Sequence, residues 1–125
     1  MKNILSIAIG LLLLACAPRG DIKGNTYLLQ DSPAGLQITI SFDKEAPNFS
    51  GRALNRYFGA YELNGNNINF KGVASTMMAG PEELMKAERE YFNNLEAARN
   101  IVINSDNITI SGEGFTYNYI MQATE

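Results

Sequence analysis

Few side chains in this 125-residue chain are of the kinds that carry out reactions. Glu82 and Glu83 stand side by side, and Glu88 and Glu90 lie two apart. Carboxylate pairs hydrolyse bonds when they are held across a cleft with one pKa raised. These four fall on the expected solvent face of a helix-forming run and read as surface charges. Asp43 and Glu45 flank a turn but lack the clustered oxygen ligands of a calcium loop. Met77, Met78, Met85 and Met121 are soft donors of the type that holds copper(I), yet methionine at strand and helix contacts is more often core filler. Histidine is absent, which excludes Ser-His-Asp and Cys-His catalysis and histidine metal sites. No glycine-rich phosphate loop occurs. The expectation is a non-enzyme with no catalytic residue, no metal and no cofactor.

The chain has one cysteine, Cys16, at the end of Leu13-Leu14-Ala15-Cys16. Ahead of it stand the basic start Met1-Lys2-Asn3 and the apolar run from Ile4 to Leu14. Basic, then apolar, then small is the order of a secretory signal. The run falls short of the roughly 20 apolar residues that span a bilayer, and Pro18-Arg19-Gly20-Asp21 stops it. A lone thiol has no partner for an internal disulfide. The stretch resembles a bacterial lipobox. That resemblance implies that residues 1–15 are a lipoprotein signal peptide and that the Cys16 sulfur carries a diacylglyceryl group. The new amino end is then acylated, by palmitate or a similar chain. Two or more chains anchor a protein stably, so the mature protein is expected to be tethered to a membrane without crossing it. Residues 16–23 read as an unpacked tether. Ala17, a non-aspartate after the cysteine, implies the outer membrane of the bacterial cell envelope by resemblance to lipoprotein sorting.

What remains suffices for one domain. With 10 Lys+Arg against 13 Asp+Glu the formal net charge is −3. An acidic domain is a poor partner for nucleic acid, which needs a basic face. Only Arg52 and Arg56 sit close among the basic residues, and two charges do not make a patch. Tryptophan is absent, so six Tyr and six Phe must supply the large core pieces.

From Gly24 the apolar residues recur with a period of two, as in half-buried strands. Ile38, Ile40 and Phe42 alternate with Thr39 and Ser41. The pairs Tyr61/Leu63, Ile68/Phe70, Ile101/Ile103 and Ile108/Ile110 repeat the pattern, and Phe115, Tyr117, Tyr119 and Met121 share one face of a last strand. Asp31-Ser32-Pro33-Ala34-Gly35 separates the first strand (25–30) from the second. Asn64-Gly65 predicts a type I′ hairpin joining 59–63 to 67–71. Ser105-Asp106-Asn107 joins 100–104 to 108–111, and Gly112-Glu113-Gly114 is a further turn. One segment breaks the alternation. Pro81 to about Ala98 is rich in helix formers, with Pro81 suited to the first position and Glu82 and Glu83 to the positive end of the dipole. Leu84, Met85, Tyr91, Phe92 and Leu95 form its apolar stripe. The fold class is therefore α+β, mainly β: an antiparallel meander forming a curved sheet or partial barrel with one packed α-helix.

The run from Gly51 to Tyr61, Gly-Arg-Ala-Leu-Asn-Arg-Tyr-Phe-Gly-Ala-Tyr, resembles the central motif of the META domain, the family of HslJ-like bacterial lipoproteins. That motif reads roughly G-x-x-G-C-N-x-[YF]-x-G-x-Y. Ala74 to Gly80 is similar to the family's second motif, with its Thr-x-Met-Ala-Cys core. The opening Gly24 to Leu29 resembles the family's first strand, with Tyr27 in place of the usual Trp. The resemblance covers Gly24 to about Met121, and the domain is bounded at 24–122. Leu54 and Gly80 stand at the family's two cysteine positions, and Ala53 replaces a glycine. If the match holds, Leu54 and Gly80 lie close in space.

The motif also has a plain physical reading. Asn55, polar among apolar neighbours, ties down a loop. Gly59 suits a bulge or a close backbone approach. Tyr61 buries its ring and keeps its hydroxyl paired, and Thr76 anchors the strand-to-helix corner. Gly51 and Met78 complete the set of family positions, all with structural rather than catalytic roles. The resemblance implies a non-enzymatic, membrane-anchored envelope lipoprotein, an interaction or stress-response module for envelope homeostasis, with an envelope protein as partner. The alternatives are a binder of a small apolar ligand in a sheet–helix pocket, and an inhibitor or chaperone-like module acting on exported proteins. A packed interior removes the first of these.

Overall fold

The computed structural model describes residues 21–123. The signal segment 1–15, Cys16 and the tether up to residue 20 lie outside the described residues. Eight strands follow in order: β1 (Thr26–Leu29), β2 (Thr39–Phe42), β3 (Asn48–Arg52), β4 (Arg56–Asn64), β5 (Asn67–Ser75), β6 (Asn100–Ile103), β7 (Asn107–Gly112) and β8 (Phe115–Met121). Among the described residues one α-helix, α1 (Glu82–Ala97), stands between β5 and β6. Each strand pairs antiparallel with the next, and β8 returns to pair with β1 through Leu28 and Ile120. The sheet is thus a closed ring, with β5 and β6 as its weakest join.

Alternation along each strand sends one set of side chains into the ring. Tyr27, Ile40, Phe42, Phe49, Tyr57, Tyr61, Phe70, Ile101, Ile110 and Tyr119 are all buried there. Among the described residues the core cluster runs from Ile22 to Tyr119. The interior is filled by rings packed edge to face, such as Phe42 on Tyr61 at 5.3 Å and Phe49 on Phe70 at 5.1 Å between centroids.

Several details differ from the sequence reading. Ile22, placed in the tether, is 1% exposed and joins the core, so packing begins before Gly24. The β4–β5 hairpin turns on Gly65 and Asn66, one residue later than expected, because Asn64 pairs with Asn67. Gly65 alone has positive φ, at 65°, which is the type II′ pattern rather than type I′. Strand β3 was not foreseen, because Phe49 is its only buried side chain. Pro81 occupies the cap position, not the first turn, and its carbonyl accepts the N–H groups of Leu84 and Met85.

Helix α1 closes one end of the ring. Strands β5 and β6 share a single paired position, Asn67 with Asn100. Beyond that point the helix replaces the neighbouring strand, and Glu96 accepts the N–H of Val73 at 3.2 Å. Tyr91 and Leu95 point from the helix into the ring. No helix among the described residues is long and apolar enough to cross a membrane.

Candidate functional site

The two family-like motifs meet at the helix end of the ring. Asn55 lies in the tight turn between β3 and β4 and is 5% exposed. Its side-chain oxygen accepts from the Met78 N–H at 2.8 Å and from the Thr76 hydroxyl at 3.3 Å. Its amide nitrogen donates to Glu88 Oε1 at 3.0 Å, and its backbone N–H donates to Glu88 Oε2 at 2.6 Å. The Thr76 hydroxyl in turn accepts from the Arg56 N–H at 3.3 Å. One asparagine therefore fastens the β3–β4 turn, the 76–80 segment and helix α1 together.

Glu88 overturns its sequence reading. The charged run points to the solvent face of the helix, yet Glu88 is 7% exposed and both its oxygens are engaged by Asn55. The signal that points to it is its position on the helix, three residues before Tyr91, which puts it on the buried face. We expect Glu88→Leu to cost about 3 kcal/mol, since two buried Asn55 donors lose their acceptor. Glu88→Gln, which keeps one acceptor oxygen, should cost about half as much. Urea unfolding of both variants tests this, and equal midpoints for Leu, Gln and Glu would contradict the role.

The two glycines admit no side chain. A Cβ on Gly51 would stand 2.1 Å from the Thr39 carbonyl oxygen and 2.7 Å from the Tyr57 ring. A Cβ on Gly59 would meet the Lys71 carbonyl and the Phe49 ring at 2.8 Å. Gly59 also lies at the register shift between β4 and β5, where the one spare residue sits on β5 and Gly72 takes φ 60°. Tyr61 is buried against Phe42, and burial, with Asp21 and Asp43 nearby, raises its pKa. Tyr61 lies toward the other end of β4, apart from Asn55 and Thr76. Leu54 packs on Gly80, where an added Cβ would touch Leu54 Cδ2 at 3.0 Å. The two positions expected to be neighbours are in contact.

Below the Asn55 network lies a chain of three hydroxyls that the sequence did not reveal. Tyr57 donates to the Thr39 carbonyl at 2.6 Å. Each hydroxyl has one proton, so Tyr91 must donate to Tyr57 at 2.8 Å, and Tyr119 to Tyr91 at 3.0 Å. Burial pushes all three phenols well above their usual pKa. They come from β4, α1 and β8, and their separations in sequence have no local pattern.

Above the network is an open groove of about 310 Å³ lined by Met77, Met78, Met85, Phe92 and Arg89, with Asn55, Thr76 and Glu88 in its floor. Met77 is 90% exposed and Met78 72% exposed. Met78 thus holds its place through its backbone N–H while its side chain stays in solvent. No three His, Cys, Asp or Glu residues gather as a metal site among the described residues. The groove can offer apolar contact and a guanidinium, but its carboxylate is already bound.

The META domain family model matches residues 21–124. No curated protein matches. The fold is similar to an NMR structure of a protein from Burkholderia xenovorans, with TM-score 0.67 and 18% identity over 82% of this chain and 85% of that one. A second NMR structure has TM-score 0.62 and 21% identity over 79% and 90%. The crystal structure of a duf4847 family protein from Bacteroides vulgatus ATCC 8482 has TM-score 0.54 and 18% identity over 70% and 60%. At these identities the likenesses concern the fold alone. With the family model spanning almost the whole described body, and both motifs joined at Asn55, the chain belongs to the META domain family.

Proposed function

We propose that this protein is a non-enzymatic, lipid-anchored module of the bacterial cell envelope that binds another envelope component in support of homeostasis or stress response. Cys16 carries the lipid, and Ala17 directs the protein to the outer membrane. One observation carries the interaction role: Met77 and Met78 stand exposed over an apolar groove whose floor is fixed by Asn55 and Glu88. Exposed methionines adapt to varied apolar partners. The chemistry of the site supports a binding role over catalysis. Glu88 is committed to two donors, and the buried tyrosines hold their protons. A small-ligand cavity inside the ring has no room, because aromatic and aliphatic side chains fill it.

The test is site-specific photocrosslinking in intact cells. A probe at Met77 should trap one discrete envelope component, and a probe at Lys44 should not. Cys16→Ser should release the protein from the membrane fraction. Equal labelling from both positions, or a Cys16→Ser variant that stays membrane-bound, would overturn the reading.

A further inference from the structure

Arg52 and Arg56 face each other across the β3–β4 ladder as register partners. Directly opposed side chains in an antiparallel pair have Cβ atoms about 5 Å apart, and like charges there repel. Both residues are exposed, and neither has a carboxylate within 4 Å among the described residues, where Lys71–Glu62 is the one ion pair. In a chain with more acidic than basic residues, two guanidiniums are thus held together without a counter-charge.

The same outward face carries Phe58, the next outward position of β4 after Arg56, which is 50% exposed. Ser50 pairs with Phe58, and Arg52, Arg56, Phe58 and Thr76 line a shallow depression of about 420 Å³. Thr76 also lines the methionine groove, so the two surfaces are continuous. Arg89 also lines that groove. The result is a cationic pair beside exposed Phe and Met side chains, a surface complementary to an anion that carries apolar groups.

We propose that Arg52 and Arg56 bind the terminal carboxylate of an exported polypeptide whose last apolar side chains lie on Phe58 and the Met77/Met78 groove. This rests on the reading of the domain as an interaction module and names its partner's chemistry. Guanidinium groups present planar donor forks that match a carboxylate's two oxygens. Placement favours a polypeptide over a lipid headgroup. The chain enters the body at Ile22, beside Tyr61, Glu62 and Leu63. Arg56 lies at the opposite end of the same strand, roughly 20 Å away at about 3.3 Å per residue. A lipid anchor ahead of Ile22 would thus join the body at the end of β4 remote from the Arg pair.

The experiment titrates ¹⁵N-labelled residues 21–125 with an acetylated pentapeptide ending in leucine, as the free carboxylate and as the C-terminal amide. The carboxylate form should shift the amide signals of Ser50, Arg52, Arg56, Phe58 and Thr76 in a saturable manner. The amide form should bind at least tenfold more weakly. Arg52→Gln and Arg56→Gln should each lower affinity about tenfold without lowering thermal stability, because each removes a repulsion. Lys44→Gln should change nothing. Phe58→Ser should weaken the peptide but not small-anion binding. Equal binding of both peptides overturns the carboxylate assignment. So does the absence of saturable shifts, or the same shifts from anionic vesicles and not from the peptide. The crosslinking result at Met77 is independent of these outcomes, so the broader interaction reading can survive the loss of this one.

Discussion

A single methyl group added at Gly51 is expected to remove about 4 kcal/mol of stability. The alanine Cβ would lie 2.1 Å from the Thr39 carbonyl oxygen, a backbone atom fixed in the β2–β3 ladder, and 2.7 Å from the Tyr57 ring. Nothing flexible can give way. Either Thr39 and Gly51 separate, breaking the ladder, or Tyr57 withdraws and its hydroxyl loses the Thr39 carbonyl. Overpacking costs about 1–3 kcal/mol, and a lost buried hydrogen bond adds about 1–3 more. Against a typical domain stability of about 5–15 kcal/mol, the variant should be marginal. Urea unfolding followed by circular dichroism measures the loss. A midpoint within error of the wild type would show that Gly51 does not lie under the Thr39 carbonyl. Gly65→Ala is a useful contrast: no atom lies within 4 Å of the added carbon, and only the positive φ opposes it.

Alkali should unfold the protein steeply. All six tyrosines have pKa values raised above the usual 10, chiefly by burial, and Tyr57, Tyr91 and Tyr119 are raised furthest. The unfolded chain releases phenolic protons near pH 10, whereas the folded chain keeps them. Above that pH the unfolded state binds fewer protons, so stability falls as pH rises. The stabilisation is fully present below about pH 10 and is lost on the way up to the folded-state pKa values. Each retained proton steepens the fall by about 1.4 kcal/mol per pH unit, so three give roughly 4 kcal/mol per unit. The tyrosinate absorbance of Tyr57, Tyr91 and Tyr119 should therefore appear together with the loss of circular dichroism, above pH 10. Tyr91→Phe should flatten the slope by about a third. Full tyrosinate absorbance, from all six tyrosines, while the fold persists would mean that the hydroxyl chain is open to solvent.

The β-rich meander was legible because half-buried strands leave a period of two in the sequence. The runs at 38–42, 68–70, 101–103 and 108–110 all lie in strands or run directly into them. Strand β3 left no such trace, since its inward positions are Phe49 and a glycine whose space is taken by the Tyr57 ring. Closure of the ring was not legible either. Pairing of β1 with β8 joins positions 90 or more residues apart, and nothing local encodes that partner.

At the site, the family-like motif marked Asn55, Thr76 and Met78, which the structure brings together. It marked Gly59 and Tyr61 as well, and these serve the sheet and the opposite end of the core. The burial of Glu88 is not legible because a glutamate in a charged helix looks like its neighbours. Only the Asn55 donors across the turn make its burial favourable. The hydroxyl chain is not legible for a different reason. It joins three tyrosines from three elements, and each reads alone as an apolar core residue.

The seam that completes the ring also decides how the body responds to being pulled. Traction on the chain ahead of residue 21 reaches β1 almost at once, through Ile22 and the turn at Gly24. That strand is laced on both flanks, to β2 through Thr26–Leu28 and to β8 through Tyr27–Leu29. A tug along its axis loads those rungs together in shear instead of peeling them off singly. A leash attached there can hold the domain against flow or against a moving partner without unravelling it from its first strand.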